Sequence, residues 1–276
     1  MTLGEALAWA RGRIDRLDAR LLLQAASGCS HADLLARPET PLAALAEAQF
    51  MAWAARREAG EPVAYLLGEA QFRGRVFQVT PAVLVPRPET EILIKLALDR
   101  LVQDGLAASP DAACVLDLGT GSGIVAVSLA LESPESAVCA VDLSAPALDV
   151  ARNNARRLRA AVEFFQGDWY APLAGRRFDL IVANPPYIAA DDPHLAGDGL
   201  PFEPRMALTD AADGLSCIRR IVMGAGAHLQ PGGWLLFEHG YDQGETCRNL
   251  LQAAGFQDVF THPDLAGTDR VSGGRI

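Results

Sequence analysis

With 276 residues, 50% apolar and 21% charged, the chain has enough core-forming material for two domains of unequal size and is not composed like a largely disordered chain. No apolar run reaches the roughly 18 to 20 residues that cross a bilayer, and Glu5 stands where a secretory signal carries basic residues, so a soluble cytoplasmic protein with no membrane partner is expected. Cys29, Cys114, Cys139, Cys217 and Cys247 include no C-x-x-C pair and no nearby His cluster, which argues against a disulfide framework or a metal site, and the net charge of −10 argues against a duplex-binding protein.

The acidity is uneven: residues 1 to 90 hold ten Arg against ten acids, and the remainder carries 14 basic against 24 acidic residues. From Leu3 to about Arg57, Ala, Leu and Arg dominate, with Leu17, Leu21, Leu22, Leu34 and Leu35 at helical spacing. Ser27-Gly28, Pro38 and Pro41 punctuate this stretch, and Asp15 and Ser30 stand at cap positions, predicting a small bundle of short helices over residues 1–64. Phe72, Val76, Phe77, Val79, Val83 and Val85, broken by Gly74 and Pro81, predict a β-hairpin linker over 65–86. The prolines of Pro86-Arg87-Pro88-Glu89-Thr90-Glu91 end any strand, and the acidic residues suit the first turn of a helix running to about Val102, opening a second domain over 87–276.

Short apolar strands then alternate with amphipathic helices: strand Cys114 to Leu118, helix Gly123 to Leu131, strand Ala137 to Asp142, helix Pro146 to Leu158, and strands Val162 to Gln166 and Phe178 to Ala183. Gly233 to Glu238, flanked by helices, Asp258 to Thr261 and Arg270 to Arg275 complete the set. The alternation predicts an α/β fold with a mostly parallel sheet covered on both faces, which binds ligands at the carboxyl ends of its strands.

Asp117-Leu118-Gly119-Thr120-Gly121-Ser122-Gly123 joins the first of these strands to its helix. Glycines there allow a tight turn and close approach to a ligand, but the third glycine of a dinucleotide fingerprint is replaced by Ile124, so a pyrophosphate is not required. Asp142, ending the next strand, is placed to accept both hydroxyl protons of a ribose, which points to an adenosine-type ligand. Asp168 is a candidate acceptor for the adenine amino group and Trp169 a cover for the base, although core packing suits Trp169 equally.

After Phe178 to Ala183 comes Asn184-Pro185-Pro186-Tyr187. Two prolines fix φ and remove two donors, Asn184 adds an acceptor, and Tyr187 a flat wall, a cage suited to an NH2 group on a planar system. An amide nitrogen is a poor nucleophile, and no side-chain base usefully deprotonates it at neutral pH. The Asn184 oxygen and Pro185 carbonyl are placed to orient both N–H bonds away from a methyl donor, so that catalysis comes from positioning.

With these stretches, and Gly167-Asp168-Trp169, Phe202-Glu203-Pro204, Glu238-His239-Gly240 and Asp269-Arg270-Val271, the chain resembles the HemK/PrmC family over nearly its whole length. These methyltransferases modify the glutamine of the Gly-Gly-Gln motif in class 1 peptide chain release factors. The resemblance implies S-adenosylmethionine as cofactor, S-adenosylhomocysteine as product and the release factor as partner, in a complex expected to be transient because a modifying enzyme must let go of its product. It also implies an N-terminal helical domain that helps dock that partner, a hairpin linker, and a Rossmann-like class I methyltransferase domain. It assigns Gly119, Thr120, Gly121, Ser122, Gly123, Asp142, Trp169 and Asn184 to the cofactor, and Asn184, Pro185, Pro186 and Tyr187 to the substrate glutamine.

Two alternatives share the catalytic motifs: glutamine methylation of a large-subunit ribosomal protein, and methylation of an exocyclic amino group in DNA or RNA, which the acidic composition disfavours. A non-enzymatic binding module would make three separate signatures relics. His239 reads as a general base or, better, as a buttress; Glu89 and Arg87 border the cofactor mouth, or Glu89 caps a helix; Asp191, Asp192 and His194 belong to a mobile surface segment.

Overall fold

Side-chain caps start the first three helices of the computed structural model, which describes residues 1–104, 112–197 and 199–276. Thr2 and Glu5 form a capping box at α1 (Leu3–Ala10), Asp15 accepts the Leu17 N–H at 2.7 Å at α2 (Arg16–Ser27), and Ser30 and Asp33 form a second box at α3 (His31–Ala36). Gly28, at φ 71°, ends α2 in the left-handed conformation that a side chain disfavours. Helices α4 (Ala44–Glu58) and α5 (Val63–Leu67) complete a bundle around Leu3, Leu22, Leu23, Leu34 and Phe50. Leu17, Leu21 and Leu35, at helical spacing in the sequence, lie on the outside instead. The adjacent Leu22, Leu23 and Leu34 already occupy the core-facing positions.

The chain divides into two compact units, Met1–Ala70 with Ala196–Phe202, and Gln71–Leu195 with Glu203–Ile276. The division falls inside the first strand of a hairpin made by β1 (Glu69–Phe72) and β2 (Arg75–Gln78).

The second unit is built on a seven-stranded sheet of β3 (Cys114–Leu118), β4 (Ala137–Asp142), β5 (Val162–Gln166), β6 (Phe178–Ala183), β7 (Leu229–Glu238), β8 (Gln257–Pro263) and β9 (Asp269–Arg275), in the order β5-β4-β3-β6-β7-β9-β8. The pairs among β3 to β7 are parallel, and β9 runs antiparallel to both β7 and β8. Alternate residues serve opposite faces. Val115, Leu180, Val182 and Leu236 pack with Leu93, Ile94 and Ala97 of α6 (Thr90–Gln103), Val125 and Leu129 of α7 (Ile124–Glu132) and Ala155 of α8 (Ala145–Leu158). Leu116, Leu118, Ile181 and Leu235 face Ile218 and Ile221 of α10 (Ser216–His228) and Cys247 and Leu251 of α11 (Gly244–Ala253). The short α9 (Arg205–Leu208) precedes α10. Being covered on both sides, the central strands are apolar on both faces apart from Asp117 and Asp179, and each buried apolar side chain contributes roughly 1.5 to 3 kcal/mol.

Strand β7 starts earlier than its sequence predicts, because Phe178 pairs with Leu229 and the register then shifts before Leu180 meets Trp234. Pro231-Gly232 therefore lies inside the strand at an irregularity. Among the described residues no helix is long and apolar enough to cross a membrane.

Candidate active site

The strand order fixes where a ligand can sit. From β3 the chain moves outward to β4 and β5, then returns to β6 on the other side of β3. Connections leaving β3 and β6 therefore diverge and open a crevice at the carboxyl ends of the strands. Leu118 and Ala183 are register partners, so the glycine turn and the diproline corner start side by side. A cavity of about 520 Å³ lies here, lined by Gly119, Thr120, Gly121, Ser122, Asp142, Asp168, Trp169, Asn184 and Pro186, and also by Arg87, Thr90, Asp117, Leu143, Cys217 and Arg220. Gly123, Pro185 and Tyr187 are not among its lining residues.

The turn is held from behind. Gly119 and Thr120 donate their N–H groups to the Val141 carbonyl at 2.8 and 3.0 Å, and Asn154, fully buried on α8, donates to the Ser122 carbonyl at 2.9 Å. Gly123, at φ 83°, starts α7 in a conformation disfavoured for other residues, and a Cβ there would stand 3.1 Å from that of Ala151. Its role is thus to let α7 approach α8, behind the cavity. Gly119 has φ 74°, a conformation that favours glycine, and a Cβ there would stand 3.4 Å from the Trp169 ring, so the indole lies against the turn. Trp169 itself has φ 49°, an uncommon conformation for a bulky residue.

Asp142 uses one lone pair on each carboxylate oxygen internally: Oδ2 accepts the Gly121 N–H and Oδ1 the Ser144 N–H, both at 2.8 Å. The remaining lone pairs are available to two hydroxyl donors. Burial pushes its carboxyl above the ordinary carboxylate range, and the Ser144 and Gly121 N–H groups oppose the rise. Asp117 is more deeply buried, and its Oδ2 accepts both the Thr120 hydroxyl at 2.6 Å and the Ala126 N–H at 3.1 Å. Burial raises its carboxyl to about 7, with neighbouring Asp142 adding to the rise and those two donors resisting it. Asp168 forms an ion pair with Arg220 at 2.5 Å, and Leu143, a large apolar side chain 56% exposed, completes this half of the wall.

At the other half, Asn184 leaves the end of β6 with its Nδ2 donating to Thr90 Oγ1 at 3.1 Å. Thr90, fully buried at the start of α6, donates to Glu238 Oε2 at 2.8 Å, and Tyr187 donates its hydroxyl to Glu238 Oε1 at 3.0 Å. Burial raises the Glu238 carboxyl, opposed by its two hydroxyl donors and the Arg270 charge; burial and the adjacent Glu238 charge raise the Tyr187 phenol. Beyond the corner, Ile188 N bonds the Leu208 carbonyl at 3.1 Å and Gln243 Nε2 bonds the Tyr187 carbonyl at 3.0 Å, clamping the loop from two sides. Pro204, Arg205, Met206, Ala207 and Thr209 supply the outer wall. Glu203 anchors that wall by accepting the Val85 N–H at 2.9 Å and pairing with Arg87.

His239 is fully buried, with Nδ1 2.8 Å from the Gly240 carbonyl and Nε2 2.9 Å from the Ser272 hydroxyl. A carbonyl only accepts, so Nδ1 carries the proton; burial lowers the ring's pKa, and His239 is a neutral buttress. Glu89 holds the N-cap position of α6 without a side-chain capping bond. His194 pairs with Asp192 on the surface.

Residues 5–68 match the family description "PrmC N-terminal domain", and residues 96–196 match "Methyltransferase small domain". A release factor glutamine methyltransferase of Burkholderia pseudomallei is 55% identical over 270 residues, covering 95% of this chain and 93% of its own length. The Bordetella pertussis protein of the same name is 52% identical, covering 95% of this chain and 96% of its own. The chain belongs to the release factor glutamine methyltransferase family.

This family member is therefore a methyltransferase with a Rossmann-like class I domain. Its fold is also that of a Pyrococcus furiosus methyltransferase (TM-score 0.53, 18% identity, 83% of this chain and 96% of that one). A T. thermophilus 16S rRNA methyltransferase in complex with AdoMet and guanosine is alike in fold (TM-score 0.54, 22% identity, 75% of this chain and 49% of that one). Sequence reasoning about the methyltransferase site omitted Thr90, Glu238, Leu143 and the 204–209 wall. Thr90 was visible inside Pro86 to Glu91 and Glu238 beside His239, but the bonds of Thr90 to Asn184 and to Glu238 span 94 and 148 residues of chain.

Proposed function

We propose that this enzyme transfers a methyl group from S-adenosylmethionine to the side-chain amide nitrogen, N5, of the glutamine in the Gly-Gly-Gln motif of class 1 peptide chain release factors. One observation carries the reading: the glycine turn with Asp142, and the Asn184 corner, line a single cavity at the switch point of the sheet. The cavity's volume of about 520 Å³ suits a nucleoside-sized ligand. The spare lone pairs of Asp142 match a ribose diol, and a Cβ on Gly121 would meet no atom within 4 Å, leaving open space beside the turn. In this reading 1–64 is the docking domain, 65–86 the linker and 87–276 the methyl-transferring domain.

Bound there, S-adenosylmethionine supplies a methyl on a positively charged sulfur and leaves as the neutral thioether S-adenosylhomocysteine. Gly119, Thr120, Gly121 and Ser122 line its place, Gly123 shapes the turn, Asp142 accepts the ribose hydroxyls, and Trp169 with Leu143 covers the base. Asp168, tied to Arg220, stands at the adenine edge. Asn184 Oδ1 and the Pro185 carbonyl accept the two N–H bonds of the substrate amide, holding its nitrogen toward the methyl. Pro186 stiffens the corner, and Tyr187 holds it from behind through Glu238. As the N–C bond forms, positive charge develops on nitrogen beside these fixed dipoles, and one N–H proton is then released to water. The release factor engages transiently, since a modifying enzyme must let its product go.

Incubation with methyl-labelled S-adenosylmethionine tests the reading. Label is expected in a class 1 release factor and absent when its Gly-Gly-Gln glutamine is replaced. Label in ribosomal protein or nucleic acid, with none in the release factor, would overturn it.

A further inference from the structure

A carboxamide can show a cavity either its oxygen or its NH2 group, and only the oxygen accepts a substrate N–H. We propose that Thr90 and Glu238 are positioning residues that set this choice for Asn184. The inference rests on the assignment of Asn184 to the substrate amide, and it names what keeps that acceptor facing the right way.

Hydrogen-bond direction decides which atom Asn184 presents. Burial works against ionisation of Glu238, 1% exposed at the end of β7, but two hydroxyl donors and the Arg270 charge favour the carboxylate, which has only acceptor sites: Oε1 faces the hydroxyl of Tyr187 at 3.0 Å and Oε2 that of Thr90 at 2.8 Å. A threonine hydroxyl has one proton, which Glu238 takes. Its oxygen can then only accept, and the nearby donor is Asn184 Nδ2 at 3.1 Å. Turning the Asn184 amide over would place Oδ1 against a lone pair of Thr90 and lose that bond. With Nδ2 committed, Oδ1 is the atom left for the substrate. Three distant parts of the chain, the start of α6, the loop after β6 and the end of β7, thereby transmit the polarity of one buried carboxylate to the substrate corner.

Each link can be reversed with little change of shape. Thr90→Val removes the hydroxyl, and Thr90→Ser restores it. Glu238→Gln introduces an NH2 that can donate to Thr90, freeing the Thr90 proton to bond Asn184 Oδ1 and turning the Asn184 NH2 toward the substrate. For full-length enzyme acting on a release factor, Thr90→Val and Glu238→Gln are each expected to lower kcat by about tenfold or more. Affinity for S-adenosylmethionine, measured by calorimetry, should stay within about twofold, and Thr90→Ser should recover most of the kcat lost in Thr90→Val. A Glu238→Gln enzyme that binds cofactor normally and keeps parental kcat overturns the proposal, as does Thr90→Ser no better than Thr90→Val. Should Thr90→Val fail to fold, Glu238→Gln decides, because it keeps shape and both hydroxyl partners. Asn184→Ala, assayed in parallel, separates the two levels. Inactivity there with parental kcat in Glu238→Gln removes the positioning role alone; parental kcat in Asn184→Ala removes the Asn184 assignment and the positioning role with it.

Discussion

The two units use burial differently. In the helical unit the buried side chains are aliphatic or aromatic, Leu3, Leu22, Leu23 and Phe50 among them, while Leu17, Leu35 and Leu45 remain exposed on its surface. In the sheet unit Thr90, Asp117, Asn154, Glu203, Glu238 and His239 are all buried, and each is hydrogen-bonded within the protein. The contrast teaches what each is built to hold still. An apolar core needs only shape and volume, whereas buried polar groups require every partner in place and fix the direction of dipoles around the cavity.

Single substitutions separate the two kinds of core. The largest effect is expected in the apolar unit: Phe50→Ala should destabilise it by about 3 to 5 kcal/mol, through lost contacts and a cavity. Hydrogen exchange in residues 1–70 should rise accordingly, while S-adenosylmethionine affinity stays parental; a loss of that affinity would blur the division. Next, Asn184→Ala should lower kcat by roughly 100- to 1000-fold, the range for removing one preorganised polar group, with the melting temperature nearly kept. Steady-state rates and a melting curve check both halves. Asp142→Ala should weaken cofactor binding by about 10- to 100-fold through lost ribose hydrogen bonds, and calorimetry showing parental affinity would contradict its role.

A further effect is a slope with pH. Burial lifts Asp117 to about 7, above an unfolded value near 4, so the fold binds its proton more tightly than the unfolded chain does. Its contribution to stability is complete below about pH 4 and is lost as pH rises to about 7. Asp117→Asn keeps an acceptor for Thr120 and Ala126, since both bond the same oxygen, and removes the titration. Relative to the parent, the cofactor-free variant should gain at most about 1.4 kcal/mol per pH unit across that window, read as diverging melting curves. Parallel curves from pH 4 to 8 would contradict it.

Much of the sheet was legible because its signals are local. Strands β3, β4 and β6 begin and end where the apolar runs do, being buried on both faces, while edge strand β5 is marked by the β-branched and aromatic residues Val162, Phe164 and Phe165 before Gln166-Gly167. The sequence places the start of β7 at Gly233, past Pro231-Gly232, which instead lie inside the strand where its register with β6 shifts. Helical spacing alone did not tell Leu22 from Leu21, since the core-facing flank depends on where Phe50 packs. At the cavity, residues carried by one contiguous motif could be named in advance. The Thr90, Asn184 and Glu238 arrangement could not, because pattern along a chain does not report which way a hydroxyl or an amide points once distant strands meet.

Transfer to the amide nitrogen turns on one oxygen, Asn184 Oδ1. A crystal structure of the enzyme with S-adenosylhomocysteine and a Gly-Gly-Gln peptide should place the glutamine amide nitrogen about 3 Å from Asn184 Oδ1, with Nδ2 still on Thr90 and the nitrogen facing the sulfur. A glutamine seated away from Asn184, or an amide nitrogen turned from the sulfur, would contradict it.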